Sequence, residues 1–310
     1  MGGTKFRLKI AVRWVAPNFG TLTGRWGTSR IGDSEWGQVE ADRLLMSWKF
    51  QAIRYLWQPS SGETPQFSLE FPDVLHGGQG WLGADGRAIP VLQLFALQGR
   101  LKAGSLSWDA GDLEHHVRGQ DLILEYPYSD STPTGVECYW RPEELVGGGL
   151  AVQWLVSANT RLLDENIQWS VVSEFQAASC AVGSTDETGG CAEFFGLKDG
   201  HSAWDSTPST WDSPLAGQKV LLIKLVDDAG WVALAAAPGD QRQLRVDLVP
   251  GKGDSLRASV RYELQMGFLE KGVIRRARLW CIWLPMSENA PALMERHLQD
   301  LYRSPQPLTV

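Results

Sequence analysis

The feature that most limits what this chain can become is a strict alternation of apolar and polar residues. Phe6, Leu8, Ile10, Val12 and Trp14 fall on one side of an extended chain, while Lys5, Arg7, Lys9 and Arg13 fall on the other. Side chains change face at every residue only in a strand, so this pattern predicts a half-buried strand. Residues 258–268 repeat it, with Ala258, Val260, Tyr262, Leu264, Met266 and Phe268 on one side and Arg261, Glu263 and Gln265 opposite. A further run from Val273 to Leu284 follows Glu270-Lys271-Gly272, a short Gly-containing connection that predicts a hairpin.

More strands are predicted over 46–57, 66–71, 89–97, 121–128, 136–140, 150–158, 167–175, 218–226, 231–237 and 242–249. In the first, the apolar phase slips from Trp48 and Phe50 to Ile53, Tyr55 and Trp57, which predicts a bulge near Ala52. Strands separated by Gly, Pro, Asp and Ser, without intervening helices, predict an all-β fold: a large antiparallel β-sandwich. One helix is expected. It starts with Asn289 as N-cap and Pro291 in the first turn, runs through Leu293, Met294, His297, Leu298, Leu301 and Tyr302, and stops before Pro305. The 310 residues suit a single sandwich domain over 1–310 or two strand-rich halves meeting at Gly147-Gly148-Gly149.

Charge narrows the partners. A net charge of -7 lacks the clustered Lys and Arg that a phosphate backbone requires, so no nucleic-acid partner is expected. No apolar run reaches the roughly 18 residues of a membrane span, and the N-terminus shows neither an h-region nor a small-residue cleavage site. The expectation is a cytoplasmic protein with no membrane partner; the oligomeric state is not legible. Cys138, Cys180, Cys191 and Cys281 have no CxxC spacing, and reduced thiols are the default. Cys180 and Cys191 bracket a Gly-rich acidic loop, where a bridge is the alternative for an exported protein.

Tryptophan is the unusual residue: the chain has 15, more than core packing ordinarily demands. Trp14, Trp48, Trp154, Trp169, Trp280 and Trp283 fall on predicted strands and read as core. Trp26, Trp36, Trp81, Trp108, Trp204 and Trp211 fall in segments rich in Gly, Ser, Thr and Asp. Residues 178–217 show no sustained period and read as a long loop holding Phe194, Phe195, His201 and an echo, Trp204-Asp205-Ser206 and Trp211-Asp212-Ser213. A sugar offers C–H faces that stack on indole and hydroxyls that bond carboxylates, so Trp204, Asp205, Trp211 and Asp212 are candidate ligand-binding residues. The alternative is that both Trp anchor the loop while the Asp and Ser residues form turns. A second aromatic loop, Gly20 to Gly37, either lines the same mouth or covers it.

Chemistry by familiar templates is not encoded. There is no GxSxG, HExxH, Walker A or suitably placed GxGxxG. His115 and His116 are sequence neighbours that point apart on a strand, so no metal site and no cofactor are expected. His297 reads as packing, and His76 and His201 as loop residues.

An acidic, Trp-rich chain of this length, with about a dozen strands, a long central loop, a C-terminal hairpin and the run Phe268-Leu269-Glu270-Lys271-Gly272-Val273, resembles the galactose mutarotase-like supersandwich proteins, which include aldose epimerases and sugar-binding relatives. The resemblance implies a late Glu as base on the anomeric hydroxyl and a central His as acid on the ring oxygen. Glu270 and His201 stand in that order, although the family's Asn-x-His motif is missing; Glu270 and Lys271 also suit a plain turn. The expected function is carbohydrate binding with an epimerase-like enzyme as its catalytic form. The alternative is a non-catalytic interaction protein whose loop aromatics meet a protein partner.

Overall fold

The structure is a computed structural model that describes residues 53–57, 67–71, 81–82, 88–101, 104–105, 113–128, 132–146, 148–163, 165–185, 191–197, 218–251, 255–266 and 268–304. Nineteen strands occur among them. In chain order they are β1 (Ile53–Trp57), β2 (Phe67–Phe71), β3 (Trp81–Leu82), β4 (Ala88–Ile89), β5 (Val91–Leu101), β6 (Gly104–Ser105), β7 (Glu114–Arg118), β8 (Asp121–Tyr126), β9 (Thr134–Leu145) and β10 (Gly149–Thr160). There follow β11 (Glu165–Asn166), β12 (Gln168–Thr185), β13 (Cys191–Leu197), β14 (Gln218–Leu225), β15 (Trp231–Ala236), β16 (Gln241–Pro250), β17 (Leu256–Leu264), β18 (Phe268–Leu269) and β19 (Arg275–Leu284). The single α-helix among the described residues, α1 (Ala290–Arg303), has Asn289 at its N-cap, as the sequence predicts.

Thirteen strands form one antiparallel sheet that folds over on itself. The long strand β12 makes the fold possible. Its first half, Gln168–Ala177, lies between β5 and β17; its second half, Ala177–Thr185, lies between β13 and β14. The first layer is therefore β6-β5-β12-β17-β16 and the second is β13-β12-β14-β15-β19-β10-β9-β8-β7. A register shift between Ala177 and Ser179 marks the passage, where Ala178 and Ser179 are both exposed and the alternation breaks. Facing strands share one core, in which Trp154, Phe95 and Trp140 pack ring against ring at centroid distances of 5.6–6.4 Å. The Tyr262 hydroxyl crosses between the layers to donate to the Leu234 carbonyl at 2.8 Å.

A bulge in β5 fixes the centre of that core. Val172 pairs with Ala96 and Glu174 with Gln93, so Leu94 and Phe95 together oppose Ser173. Phe95 takes φ 54, a conformation costly for an L-residue, and its backbone N–H donates to the buried Ser173 hydroxyl at 3.0 Å. Helix α1 packs elsewhere, on the outer face of the second layer. Ala290, Met294, His297, Leu298 and Leu301 form its buried stripe, and they lie against Ala151, Ala233, Ala235, Trp280 and Ile282.

Four expectations are corrected. First, residues 178–185 and 191–197 are strand rather than loop, because the bulge at Ala178–Ser179 hides the period and small residues continue it. Second, 258–268 and 273–284 do not form a hairpin. Strand β17 pairs with β12 and β16, whereas β19 pairs with β10 and β15, so the intervening connection crosses between layers. Third, a Cys180–Cys191 bridge is incompatible with the register. Cys191 pairs with Thr185, five residues along from Cys180, or roughly 16 Å at strand rise. Cys138, Cys180 and Cys281 are free, buried thiols. Fourth, Trp81 lies in β3 rather than in a loop.

Trp154, Trp169, Trp280 and Trp283 are buried, as expected for strand tryptophans, and His297 is buried on α1. Gly148 and Gly149 fall at the turn joining β9 to β10, with Gly148 at φ +87. The opening strand at 6–14, the bulge near Ala52, the 20–37 loop and His76 lie outside the described residues. Among the described residues, no helix is long and apolar enough to cross a membrane.

Substituting Ser173→Ala removes the acceptor for the buried Phe95 N–H. Urea unfolding should show a loss of about 1–3 kcal/mol, the cost of stranding a buried donor. A stability equal to the parent would mean that the bulge does not depend on this bond.

Candidate functional site

Outward-facing residues of β10 trace a change in character along the second layer. Ala151 lies under α1, Gln153 and Leu155 follow, and Ser157 and Asn159 reach an end that α1 leaves open. At that end one row of the sheet carries Glu114, Glu125, Glu137, Ser157 and Arg276 on β7, β8, β9, β10 and β19. Each is the direct register partner of the next. Direct partners share a face, with Cβ atoms about 4.5–5.5 Å apart, so three glutamates stand side by side.

Above this row is a cleft of about 220 Å³, lined by Glu125, Tyr128, Gly135, Glu137, Ser157, Asn159, Ile274 and Arg276 among others. This is smaller than the roughly 300–1,000 Å³ of drug-sized sites and suits a single small polar unit. Local bonds set its walls. Thr160 Oγ1 donates to the Pro133 carbonyl at 3.3 Å and accepts from the Leu162 N–H at 3.2 Å, and the Arg161 N–H donates to the same carbonyl at 3.0 Å. These bonds hold the end of β10 where Asn159 projects. The Arg161 guanidinium sits 4.5 Å from the centre of the Tyr128 ring. Gly135 keeps the floor open: a Cβ there would stand 2.9 Å from Asn159 Oδ1.

Polar atoms in the cleft are left unmatched. Ser157 is 8% exposed, yet its buried Oγ has no hydrogen-bond partner, and neither has Asn159 Oδ1. Burial pushes the Glu137 carboxyl above the ordinary carboxylate range, and the Glu125 charge pushes it further. A hydrogen bond from Tyr139 opposes the rise, as do the more distant charges of His116 and Arg276. Farther along the sheet, Arg141 grips Asp121 with two bonds of 2.7 Å and ties β9 to β8. Toward α1, burial raises the Asp240 carboxyl to about 6, although it accepts the Arg278 backbone N–H at 2.8 Å. Arg278 Nη1 donates to the Ser304 carbonyl at the C-terminal end of α1, and its guanidinium lies over the Trp280 ring.

Of the residues singled out in the sequence, Glu270 is exposed in the turn before β19, where the Val273 N–H donates to its carbonyl at 3.0 Å. It does not line the cleft, though Ile274 of the same connection and Arg276 of β19 do. His201, Trp204, Asp205, Trp211 and Asp212 lie outside the described residues. His115 and His116 are exposed on β7. Among the described residues, no group of three or more His, Cys, Asp or Glu is placed to hold a metal ion. Glu125, Glu137, Ser157, Asn159 and Arg276 escaped the sequence reading. Their signal was polar residues at alternate positions of otherwise apolar strands.

No family model matches the chain, and no curated protein does. Among solved structures, the chain is similar to a Klebsiella pneumoniae protein provisionally named an aldose 1-epimerase, at TM-score 0.44 and 7% identity over 77% of this chain and 82% of that one. It is also similar to the GH36 α-galactosidase AgaA of Geobacillus stearothermophilus in complex with raffinose, at TM-score 0.41 and 10% identity over 76% of this chain and 41% of that one. A third is the α-galactosidase of Lactobacillus brevis, at TM-score 0.33 and 6% identity over 78% and 40%. The chain spans about two fifths of the length of these two galactosidases. All three neighbours bear the names of carbohydrate-active enzymes.

The raised Glu137 carboxyl has a definite consequence for stability. Its folded pKa lies above the unfolded one, so its contribution is fully present below the unfolded value and is lost as pH rises through the folded value. Glu137→Gln removes the ionisation and keeps an acceptor for Tyr139. Its Tm should exceed the parent's at neutral pH, with the gap closing in acid. A variant less stable than the parent at neutral pH would contradict this.

Proposed function

We propose that this protein binds a carbohydrate and seats one sugar-sized unit in the cleft formed by β8, β9, β10 and β19. The observation that carries the reading is the unmatched polar lining. Ser157 Oγ and Asn159 Oδ1 are buried without partners beside two glutamates, and the exposed Ile274 and the Tyr128 ring flank them. A ligand rich in hydroxyls satisfies such a lining while placing its C–H face on the apolar flank.

In this proposal Trp204 and Trp211 supply stacking faces, and Asp205 and Asp212 bond hydroxyls. Strand β14 begins at Gln218, shortly after Asp212 in sequence. Strand β14 runs parallel to β19, and the registers put Leu221 level with Cys281 of β19 and Val152 of β10. The catalytic form of the proposal is epimerisation at a hemiacetal, with Glu270 as base and His201 as acid. Glu270 supports it by opening the turn into the strand that carries Arg276.

A glycan array followed by calorimetric titration tests the binding. Ser157→Ala and Asn159→Ala should each weaken the best ligand by about 1–3 kcal/mol while the melting temperature stays close to the parent's. Trp204→Ala and Trp211→Ala should do the same through lost stacking, again about 1–3 kcal/mol. Absence of binding to every glycan, together with a large fall in Tm for both Trp variants, would end the proposal and leave a structural segment. For the catalytic form, Glu270→Gln should abolish anomer interconversion while ligand affinity is retained. Parent and variant turning over alike would remove Glu270 from that role.

A further inference from the structure

The row of charges beneath the cleft is lopsided. Glu114, Glu125 and Glu137 are consecutive register partners, and Arg276 is the one cation among the lining residues, separated from Glu137 by Ser157. Like charges directly opposite each other on neighbouring strands destabilise a sheet, so the folded protein alone gains nothing from this arrangement. Among the described residues, no ion pair neutralises Glu125 or Glu137, whereas Asp121 on the same face is fully matched by Arg141.

A cluster of glutamates is often just a solvated edge. Ser157 distinguishes this one: its hydroxyl is buried beside Glu137, lines the cleft and has no partner. Asn159 Oδ1, one step further along the same face of β10, is an unpartnered acceptor. The lining thus offers carboxylate, amide and hydroxyl oxygens as acceptors, and its two carboxylates outnumber its one guanidinium. A neutral sugar hydroxyl brings one donor, whereas an ammonium brings three and a positive charge. Charge-assisted bonds to the two carboxylates are the stronger kind.

We infer that the preferred ligand of the cleft is a sugar carrying a primary amine, whose ammonium is held by Glu137, Glu125, Ser157 Oγ and Asn159 Oδ1. This inference rests on the carbohydrate reading above and adds the class of sugar. The groups facing Glu137 are Glu125 from β8, Tyr139 from its own strand, His116 from β7 and Arg276 from β19, with Glu114 one strand beyond Glu125. Protonation of the Glu137 carboxylate in acid weakens the attraction, so the preference for the amine fades as pH falls.

The test is calorimetric titration of the full chain with D-glucose, D-galactose, D-glucosamine, D-galactosamine and the N-acetyl forms of the last two. The inference predicts that an amino sugar binds roughly tenfold or more tightly than its neutral and N-acetylated counterparts near neutral pH. It also predicts that this ratio shrinks in acid and falls to about one in the double variant Glu125→Gln/Glu137→Gln. Thermal melts of the double variant confirm that it is folded, and Glu125→Gln alone serves if it is not. Neutral sugars binding as well as the amines would overturn the inference and leave the carbohydrate reading standing. If none of the six binds, the inference falls, and the carbohydrate reading is decided by the glycan array. Binding of ethanolamine, which has the ammonium without the ring, as tightly as the amino sugars would overturn the assignment to a sugar.

Discussion

One strand holds this fold together by belonging to both of its layers. Strand β12 pairs with β5 and β17 over its first half and with β13 and β14 over its second, and the register shift at Ala177–Ser179 lets it change partners. At strand rise its 18 residues span about 60 Å, far more than a usual strand. Without it there would be two separate sheets, each with an exposed apolar face. With it, the tryptophans and leucines of both layers close into one core, and the Tyr262 hydroxyl finds its acceptor across the gap.

The outer face of the second layer is a consequence of that closure. Its core-facing residues are committed to the sandwich, and its outward residues are free to differ from one end to the other. Toward Trp280 and Ile282 they are apolar, and α1 covers them. Toward Ser157 and Arg276 they are polar, and long side chains from four adjacent strands make the walls of a cleft that a flat sheet would lack. Gly135 keeps the floor open because any side chain there would meet Asn159. Crowding glutamates along one row costs stability, and the large core beneath offsets it.

The sequence made the strands legible wherever one face is wet. Strand β17 alternates cleanly from Leu256 to Leu264 because its outward residues are charged or polar. The period fails in β12 at the bulge, where Ala178 and Ser179 both face out, and the apparent loop began there. The supposed hairpin failed for a different reason. A short Gly-containing turn at 270–272 fixes a local reversal, yet the pairing of β17 and β19 is decided by competition with β12 and β10, which no local pattern records. The cleft was hidden in the same way. Glu125, Glu137, Ser157 and Arg276 are distant in sequence, and only the registers of four strands bring them into one row. His115 and His116 were recognised as pointing apart, and an exposed strand at the sheet's edge bears that out.

A crystal structure of the protein soaked with the tightest ligand found would test the central claim most directly, because the claim is a place as much as an affinity. The account predicts ligand density between Tyr128 and Ile274, with polar atoms within hydrogen-bond distance of Ser157 Oγ, Asn159 Oδ1 and Glu137. Ligand density on another face of the sandwich, with this cleft holding only solvent, would contradict it.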